Sequence, residues 1–227
     1  MEDKALRSIG VIMDGNRRWA KERGLSTMKG HAAGAEKIFQ IVEWAHESGV
    51  EEVLLYTFST ENWNRAEEEV EYLMALAKKL FTEQLARFLD AGVRIRFVGD
   101  LTRASTTLQG VMREAEERTQ NGEKGTVVFA FSYGGRAEIV AAVNTLLTQG
   151  KTEVNEDSFR EALWSSGLLD PDLILRTGGE QRLSNFLPWQ SVYSELFFTD
   201  TKWPDFSKEE FSAVVAEYYE RDRRHGK

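Results

Sequence analysis

The 227-residue chain is 41% hydrophobic and 29% charged, and it contains no cysteine. No linker-like stretch interrupts it, so we expect a single domain over residues 1–227. The lack of cysteine excludes disulfides and thiolate metal sites and favours a reducing, cytoplasmic location. The formal net charge of −8 argues against nucleic acid as the main ligand, because such binding depends on a basic surface. No apolar run is long enough to span a membrane.

Short apolar runs alternate with longer segments of helical periodicity along the chain. The runs predict strands at Ile9–Met13, Val53–Phe58, Val93–Val98, Thr126–Phe131 and Leu173–Leu175. The periodic segments predict helices at His31–Ser48, Ala66–Ala91, Thr102–Gln120, Arg136–Thr148, Asp157–Ser166 and Ser207–Arg224. This alternation predicts an α/β fold with a mostly parallel central sheet flanked by helices.

The first strand leads directly into a motif suited to an anion or a metal ion. Asp14-Gly15-Asn16-Arg17-Arg18 follows it and opens a helix, whose first N–H groups are unpaired and carry the positive end of the helix dipole. Asp14 offers a hard oxygen ligand of the kind that holds magnesium against a diphosphate. The same pattern also occurs as a tight turn with a helix cap, so the motif alone leaves both interpretations open.

Polar or glycine-rich segments follow the other predicted strands as well. Because the carboxyl ends of parallel strands meet at one edge of a sheet, we expect these segments to lie together there. They bring five arginines to that edge of an otherwise acidic protein: Arg17, Arg18, Arg65, Arg176 and Arg182. Guanidinium groups match phosphate oxygens in pairs, so this clustering predicts a site for more than one phosphate group.

An ordered set of motifs over nearly the whole chain resembles the cis-prenyltransferase family, whose bacterial type is undecaprenyl diphosphate synthase. The motifs are MDGNRRWA, GHAAGA, FSTENWNR, SYGGR, LRTGGEQRLSNF, SELFFTDTKWPDF and the terminal RRHG. The resemblance implies magnesium-dependent condensation of isopentenyl diphosphate with an allylic diphosphate of the geranyl or farnesyl type, giving a Z-polyprenyl diphosphate. It also implies an elongated hydrophobic tunnel, a homodimer, and peripheral membrane contact for product release.

The resemblance further implies roles for individual residues. Asp14 and Asn62 would be catalytic, with Asp14 and Glu195 holding magnesium. The allylic substrate would contact Gly15, Asn16, Arg17, Arg18, Trp19, Lys29, His31, Ser59, Glu61, Trp63 and Arg65. The diphosphate of isopentenyl diphosphate would bind to Arg176, Arg182 and Ser184, and the terminal Arg224 and Gly226 would reach the neighbouring subunit's site.

The sequence departs from the family pattern at four positions. Lys29 stands near a place where the family often has an arginine, and Gln181 replaces a histidine that assists the metal. Thr57 and Phe131 stand where longer-chain members keep alanine along the tunnel. Displacing a phenyl ring from a packed interior costs free energy. Because such a ring would restrict the tunnel, we expect a product shorter than undecaprenyl diphosphate.

Three other functions stay open at this point. The chain could be a full-length undecaprenyl diphosphate synthase that makes the cell-wall lipid carrier, or a synthase of short or irregular terpenoid diphosphates. It could also be a non-catalytic partner subunit, but such relatives lose the first-strand aspartate and the arginines, and Asp14, Arg65 and Arg176 are present. The acidic run Glu67-Glu68-Glu69 is interpreted as a solvated helix start.

Overall fold

The computed structural model describes residues 5–221, and within them the strands form one sheet. The strands are β1 (Ser8–Ile12), β2 (Glu52–Ser59), β3 (Arg94–Val98), β4 (Thr126–Tyr133), β5 (Leu173–Arg176) and β6 (Glu195–Phe198). Their order across the sheet is β3-β4-β2-β1-β5-β6, and every neighbouring pair is parallel. The predicted α/β fold with a mostly parallel sheet is therefore confirmed.

The sheet is covered by helices, most of which connect its strands. They are α1 (Asn16–Glu22), α2 (Thr27–Glu47), α3 (Glu67–Thr82), α4 (Leu85–Ala91), α5 (Thr106–Thr119), α6 (Gly135–Thr148), α7 (Glu156–Ala162) and α8 (Lys208–Glu220). Short 3₁₀ turns lie at Thr60–Asn64, Leu101–Arg103 and Trp203–Asp205. In the described part of the chain, no helix has the length and apolar character that crossing a membrane requires.

Both faces of the sheet are buried, as expected for parallel strands covered by helices. Val53 and Leu55 of β2 pack into the larger core, whereas Leu54 packs into a smaller core. The alternation follows from the period of two along a strand. The larger core also takes Ile38 from α2 and Leu80 from α3, and these two helices lie over the face of the sheet where an apolar cavity forms.

Besides shifts at helix ends, the structure differs from the prediction in one divided helix and one additional strand. The segment predicted as one helix over Ala66–Ala91 is divided into α3 and α4, because the backbone leaves helical geometry at Gln84 (φ −105°, ψ 2°). No Gly or Pro signals this break, so tertiary packing decides it. The sequence pattern does not predict β6 either, an edge strand of four residues that pairs with β5 alone.

Strand register brings several chain segments to one edge of the sheet. Ile12, near the end of β1, pairs with Tyr56 of β2 on one side and with Arg176 of β5 on the other. Tyr56 in turn pairs with Ala130 of β4. β1 and β5 end at this level, whereas β2 and β4 continue three residues further, to Ser59 and Tyr133. The polar segments that follow all four strands thus lie at one edge of the sheet, where a ligand site forms.

Glu52 is a buried acid at the opposite, amino edge. It is 7% exposed, and its carboxyl group accepts a hydrogen bond from the Leu169 N–H at 2.9 Å. Burial raises the pKa of Glu52 from 4.5 to about 7, although that hydrogen bond and the charge of Arg96 act in the other direction. The folded protein thus holds this proton more tightly than the unfolded chain does.

We expect Glu52→Gln to stabilise the protein at neutral pH and above. The wild-type carboxyl group favours folding at low pH and loses this contribution as the pH rises from its unfolded pKa toward 7, whereas glutamine stays neutral. The difference in unfolding free energy between variant and wild type should grow by about 3 kcal/mol across this pH range in urea titrations.

The neighbouring Glu51 supplies a control of opposite sign. Its side chain is exposed, and hydrogen bonding to Arg7 lowers its pKa. Glu51→Gln should therefore become less stable than wild type as the pH rises. If the difference in unfolding free energy between Glu52→Gln and wild type did not change with pH, the pKa of Glu52 would not be raised in the folded protein.

Candidate active site

The centre of the site is an ion pair between the ends of two neighbouring strands. Arg176, the last residue of β5, is 4% exposed and donates from Nη2 to Asp14 Oδ2 at 2.8 Å. Arg18 approaches the other carboxylate oxygen at 3.3 Å. Burial alone would raise the pKa of Asp14, but the hydrogen bond and charge of Arg176, the Gly15 N–H and Arg18 outweigh it and lower the pKa. Asp14 is therefore ionised at neutral pH.

The same arginine also holds the segment that follows β5. Its Nη1 atom donates to Ser184 Oγ at 2.7 Å and to the Arg182 carbonyl oxygen at 2.5 Å. Arg182 itself is exposed and pairs through its guanidinium with Glu180 at 2.6 Å. Arg176 and Ser184 are thus in direct contact, with the Arg182 backbone against them.

The start of α1 fits tightly against α2. Gly15 has φ 104°, and a Cβ there would lie 2.9 Å from Lys202 Cβ. A Cβ on Gly30 would lie 2.2 Å from the Asn16 carbonyl oxygen, and one on Gly34 would lie 2.3 Å from Asn16 Oδ1. The Asn16 amide also donates to the Met13 carbonyl at 3.1 Å. Glycines on α2 therefore allow the Asp14 turn to sit against that helix.

A second charged cluster forms on the α2 and α3 side of the cleft. Glu69 is 8% exposed and receives His31 Nε2 at 3.1 Å and Arg65 Nη1 at 2.9 Å, with Arg17 at 3.9 Å. The interpretation of Glu69 as part of a solvated helix start is therefore wrong. Its position four residues after Arg65 is the spacing of an i,i+4 ion pair, and this was the signal in the sequence.

This cluster sets the protonation of its members. Burial would raise the pKa of Glu69, but the His31 hydrogen bond and the charges of Arg65 and Arg17 outweigh it and lower the pKa. Burial lowers the pKa of His31, and the hydrogen bond to Glu69 only partly offsets this. Glu69 is therefore a carboxylate and His31 a neutral imidazole at neutral pH, and the net charge of the cluster is carried by its arginines.

The Thr60–Asn64 turn borders the cleft between these two groups. Asn62 Oδ1 accepts a hydrogen bond from the Ser59 N–H at 3.0 Å, so its side chain closes its own turn. Glu61 is exposed and accepts from Asn185 Nδ2 at 2.9 Å. Trp63 donates from its indole to Ser132 Oγ at 3.0 Å. The turn is thus fixed at three points along its length.

The polar cleft continues into an apolar cavity. Met13, Asn16, His31, Tyr56, Thr57 and Leu73 line both. Beyond them, the cavity is enclosed by α2, α3, β2 and β4, through Ile38, Leu76, Leu80, Phe81, Phe58 and Phe131. Its volume is about 630 Å³ including the open mouth. The predicted hydrophobic pocket thus lies beside the charged groups, and both Thr57 and Phe131 face it.

Phe131 forms a rigid part of that cavity wall. It is 3% exposed and stacks on Phe58 with ring centroids 5.4 Å apart. Phe58 packs edge-on against Trp63 at 4.9 Å. Thr57 donates its hydroxyl to the Ala130 carbonyl at 2.9 Å, which turns its polar atom toward β4. The wall is therefore held by packing on several sides.

Some predicted site residues lie elsewhere in the structure. Glu195 begins β6 at the amino edge, level with Leu173, and its carboxylate pairs with Arg221 at 2.8 Å. Within one chain it is therefore not brought to Asp14. Lys29 is exposed in the first turn of α2. The Trp19 indole donates to Asp205 at 2.7 Å, outside the cleft.

Two further predicted site residues belong to the carboxyl-terminal end of the chain. Arg224 and Gly226 lie outside the described residues. Gln181, which replaces the expected histidine, is exposed near the site. Sequence reasoning also missed Thr177, whose hydroxyl accepts from the Asp14 N–H at 3.1 Å and contacts the Asp14 carbonyl at 2.8 Å. This threonine fixes the backbone of Asp14 beside Arg176.

We expect Asp14 and Arg176 to contribute to stability as a coupled pair. Arg176→Met leaves a partly buried carboxylate without its main partner, and Asp14→Asn leaves a buried guanidinium without its carboxylate. In a double-mutant cycle by urea unfolding, the double variant should lose about 1–3 kcal/mol less stability than the sum of the single losses.

Arg18 provides the matched control for this cycle. Its side chain is 45% exposed, and it contacts the same carboxylate. A cycle between Asp14→Asn and Arg18→Met should give a coupling below about 1 kcal/mol, because exposed pairs are screened by water. Strictly additive losses in the Arg176 cycle would contradict a coupled pair.

The geometry as a whole suits a ligand with an anionic head group and an apolar chain, since arginines border the cleft and apolar side chains line the cavity. Comparison with known proteins identifies the family. The family model "Putative undecaprenyl diphosphate synthase" matches residues 12–226. The chain therefore belongs to this prenyltransferase family, and it is a transferase.

Curated relatives match over most of their length. The isoprenyl transferase of Thermotoga maritima is 43% identical over 222 residues, covering 96% of this chain and 95% of the relative. That of Aquifex aeolicus is 41% identical over 219 residues, again with 96% and 95% coverage. Among solved structures, lavandulyl diphosphate synthase from Lavandula x intermedia, crystallised with dimethylallyl diphosphate, matches with a TM-score of 0.93, 29% identity and 99% coverage of each chain.

A second solved structure connects the fold to the bacterial enzymes. A probable undecaprenyl diphosphate synthase from Campylobacter jejuni matches with a TM-score of 0.84 and 33% identity, covering 100% of each chain. The family's fold is therefore shared over the whole chain. The relatives include enzymes named for different products, so the shared fold does not identify the product of this chain.

Proposed function

We propose that this protein is a cis-prenyltransferase that condenses isopentenyl diphosphate with an allylic diphosphate in the presence of magnesium. The observation that carries the proposal is the position of an ionised Asp14 between two arginine groups, at a cleft that opens into an apolar cavity. Two cationic subsites suit two diphosphates, and the cavity suits a growing isoprenoid chain.

Magnesium fits the donor atoms of this site. Mg²⁺ is commonly bound by one or two carboxylates together with substrate phosphate oxygens, and Asp14 supplies one ionised carboxylate. Within residues 5–221, no group of three or more His, Asp or Glu side chains could hold a metal ion. The ion would therefore depend on diphosphate oxygens for its remaining ligands, and it would offset the charge that grows on a leaving diphosphate.

The chain's own residues would divide between the two substrates. Arg17, Arg18 and Arg65, with the first N–H groups of α1, would bind the allylic diphosphate and stabilise it as it leaves. Arg176, Arg182 and Ser184 would bind the diphosphate of isopentenyl diphosphate. Since the two groups flank Asp14, both substrates would be held against one carboxylate, and positioning would supply much of the rate acceleration.

Asn62 is proposed as a catalytic group that orients rather than accepts a proton. Its amide has no basic nitrogen, so the proton lost after alkene attack must go to another acceptor, for which a diphosphate oxygen is available. Asn62 holds its own turn through the Ser59 N–H. That turn carries Glu61 and Trp63 beside it and borders the cleft.

We propose a product shorter than undecaprenyl diphosphate. Phe131 and Phe58 stack across the cavity wall and leave no small side chain at that position. A specific observation favours a second candidate, a synthase of short or irregular terpenoid diphosphates: the fold superposes on lavandulyl diphosphate synthase over 99% of each chain. Both candidates would use the same diphosphate site. They differ in the number of isoprene units in the product and in how the two substrates are joined.

The family resemblance also leads us to propose a homodimer. Val140, Val143 and Leu147 follow one stripe of α6 and are 60%, 43% and 65% exposed. Tyr193, just before the edge strand β6, is 74% exposed. Exposed apolar side chains on one helix face are typical of protein–protein contacts. A cytoplasmic location with peripheral membrane contact stays a prediction.

Asp14→Ala should abolish turnover while leaving the fold intact. We expect kcat with isopentenyl diphosphate, magnesium and a panel of dimethylallyl, geranyl and farnesyl diphosphates to fall about a thousandfold or more, because the carboxylate is removed from between both diphosphates. Asp90→Ala, at an exposed position on α4, is the matched control and should retain activity. Circular dichroism checks the fold, and full turnover by Asp14→Ala would overturn the catalytic assignment.

Phe131→Ala should lengthen the product. Removing the ring opens the cavity wall beside Phe58, so chromatography of the reaction products should show additional isoprene units. Because Phe→Ala in a core costs about 3–5 kcal/mol, Phe131→Leu serves as a milder second variant. Phe159→Ala on α7, packed against Trp189 and outside the cavity lining, is the control. An unchanged product distribution for both Phe131 variants would contradict the proposal that the Phe131 ring limits product length.

A further inference from the structure

The segment after Ser184 has an unusual backbone. Ser184, Asn185 and Leu187 have φ values of 48°, 69° and 49°, and they are three of the four non-glycine residues with positive φ in the described chain. Left-handed geometry costs a non-glycine residue on the order of 1 kcal/mol or more, so the surrounding structure must hold it. The contacts of this segment therefore show which parts of the structure hold its backbone in place.

Asn185 makes several of those contacts, and it caps a helix from a distant part of the chain. Its carbonyl oxygen accepts from the Gly135 N–H at 2.8 Å, and its Oδ1 accepts from the Arg136 N–H at 2.9 Å. These are the first N–H groups of α6, whose own N-cap residue, Gly134, has no side chain. Asn185 thus satisfies helix donors that would otherwise be unpaired.

The glycines of the SYGGR motif make room for this arrangement. A Cβ on Gly135 would lie 1.9 Å from Pro188 Cδ, and one on Gly134 would lie 2.8 Å from Asn185 Nδ2. Tyr56 adds a further anchor by directing its hydroxyl to the Ser184 carbonyl at 3.2 Å. The segment is therefore fixed against both α6 and β2.

The third polar group of Asn185 faces the other half of the site. Its Nδ2 donates to Glu61 Oε1 at 2.9 Å, and Glu61 lies in the same short turn as Asn62. On its other side, Asn185 follows Ser184, whose hydroxyl receives Arg176. One side chain thus connects the turn of the proposed allylic side to the segment that holds the proposed isopentenyl diphosphate side.

We propose that Asn185 is a positioning residue that sets the distance between these two halves, and thereby between the two diphosphates; this rests on the proposed function. Asn185 lines the cleft, but its side chain is uncharged, and its amide groups are already bonded to Glu61 and to the Arg136 N–H. Its contribution lies in the relative placement of Asn62 and the Arg176–Ser184 pair. Because misplacement of reacting groups by about 1 Å can reduce a rate about a hundredfold, loss of this contact should appear mainly in kcat.

Two variants separate the side-chain contacts from the backbone. Asn185→Gly keeps the left-handed backbone and its carbonyl bond to Gly135 while removing the bonds to Arg136 and Glu61. Asn185→Asp keeps an acceptor for the Arg136 N–H but places a carboxylate against Glu61. We expect both to lower kcat about 10- to 100-fold, with the binding of each diphosphate measured alone changing less than about threefold.

A rescue variant tests the contact itself. In Asn185→Asp with Glu61→Gln, the amide and carboxylate exchange sides, so the hydrogen bond can form again. This double variant should recover at least about tenfold in kcat over Asn185→Asp, with Glu61→Gln measured separately. Asn155→Asp, which keeps an acceptor at the N-cap of α7, is the control and should match wild type.

The outcomes distinguish this inference from the proposed function. If wild type turns over isopentenyl and allylic diphosphates but the Asn185 variants keep their kcat, or the double variant shows no recovery, the positioning role is overturned. The same holds if urea unfolding and active-site titration show that lost activity equals lost folded protein. If wild type itself shows no turnover, the proposed function fails instead.

Discussion

The structure of the site depends on burying one guanidinium group at the carboxyl edge of the sheet. Arg176 is 4% exposed, and a buried cation is tolerated only when it is paired and hydrogen-bonded. Its two terminal nitrogens reach Asp14, Ser184 and the Arg182 carbonyl. These partners belong to the segments that follow β1 and β5, so satisfying one side chain fixes both. The same contact helps to keep Asp14 ionised.

The arginines around the cleft are partly neutralised by carboxylates before any ligand binds. Arg176 and Arg18 contact Asp14, and Arg65 contacts Glu69. On a protein with a formal net charge of −8, such pairing lets cationic groups converge without mutual repulsion. Under the proposed function, a diphosphate would compete with these carboxylates for the exposed guanidinium groups. The charge carried by a metal ion would then compensate the carboxylate that loses its partner.

Local pattern predicts the parts of this fold that repeat, and tertiary contacts decide the rest. The alternation of apolar runs and helical periods predicts the parallel sheet, and strand-end motifs predict that Asp14 and Arg176 lie at the same edge of it. The break at Gln84 and the edge strand β6 have no Gly, Pro or periodic signal in the sequence. Packing in the folded chain determines both of them. Glu69 and Asn185 also contact residues far along the chain, His31 and Glu61 respectively, and spacing in the sequence does not reveal these long-range contacts.

The end of β4 connects the apolar cavity to the charged site. Phe131 stacks on Phe58 in the cavity wall, and the next residue, Ser132, receives the Trp63 indole from the turn that carries Asn62. Ser132 has φ 50°, a geometry that its surroundings must hold. A change that moves the phenyl ring therefore acts on the same strand end that positions the turn. Under the proposed function, variants of the wall would alter rate together with chain length, because one rigid segment supports both.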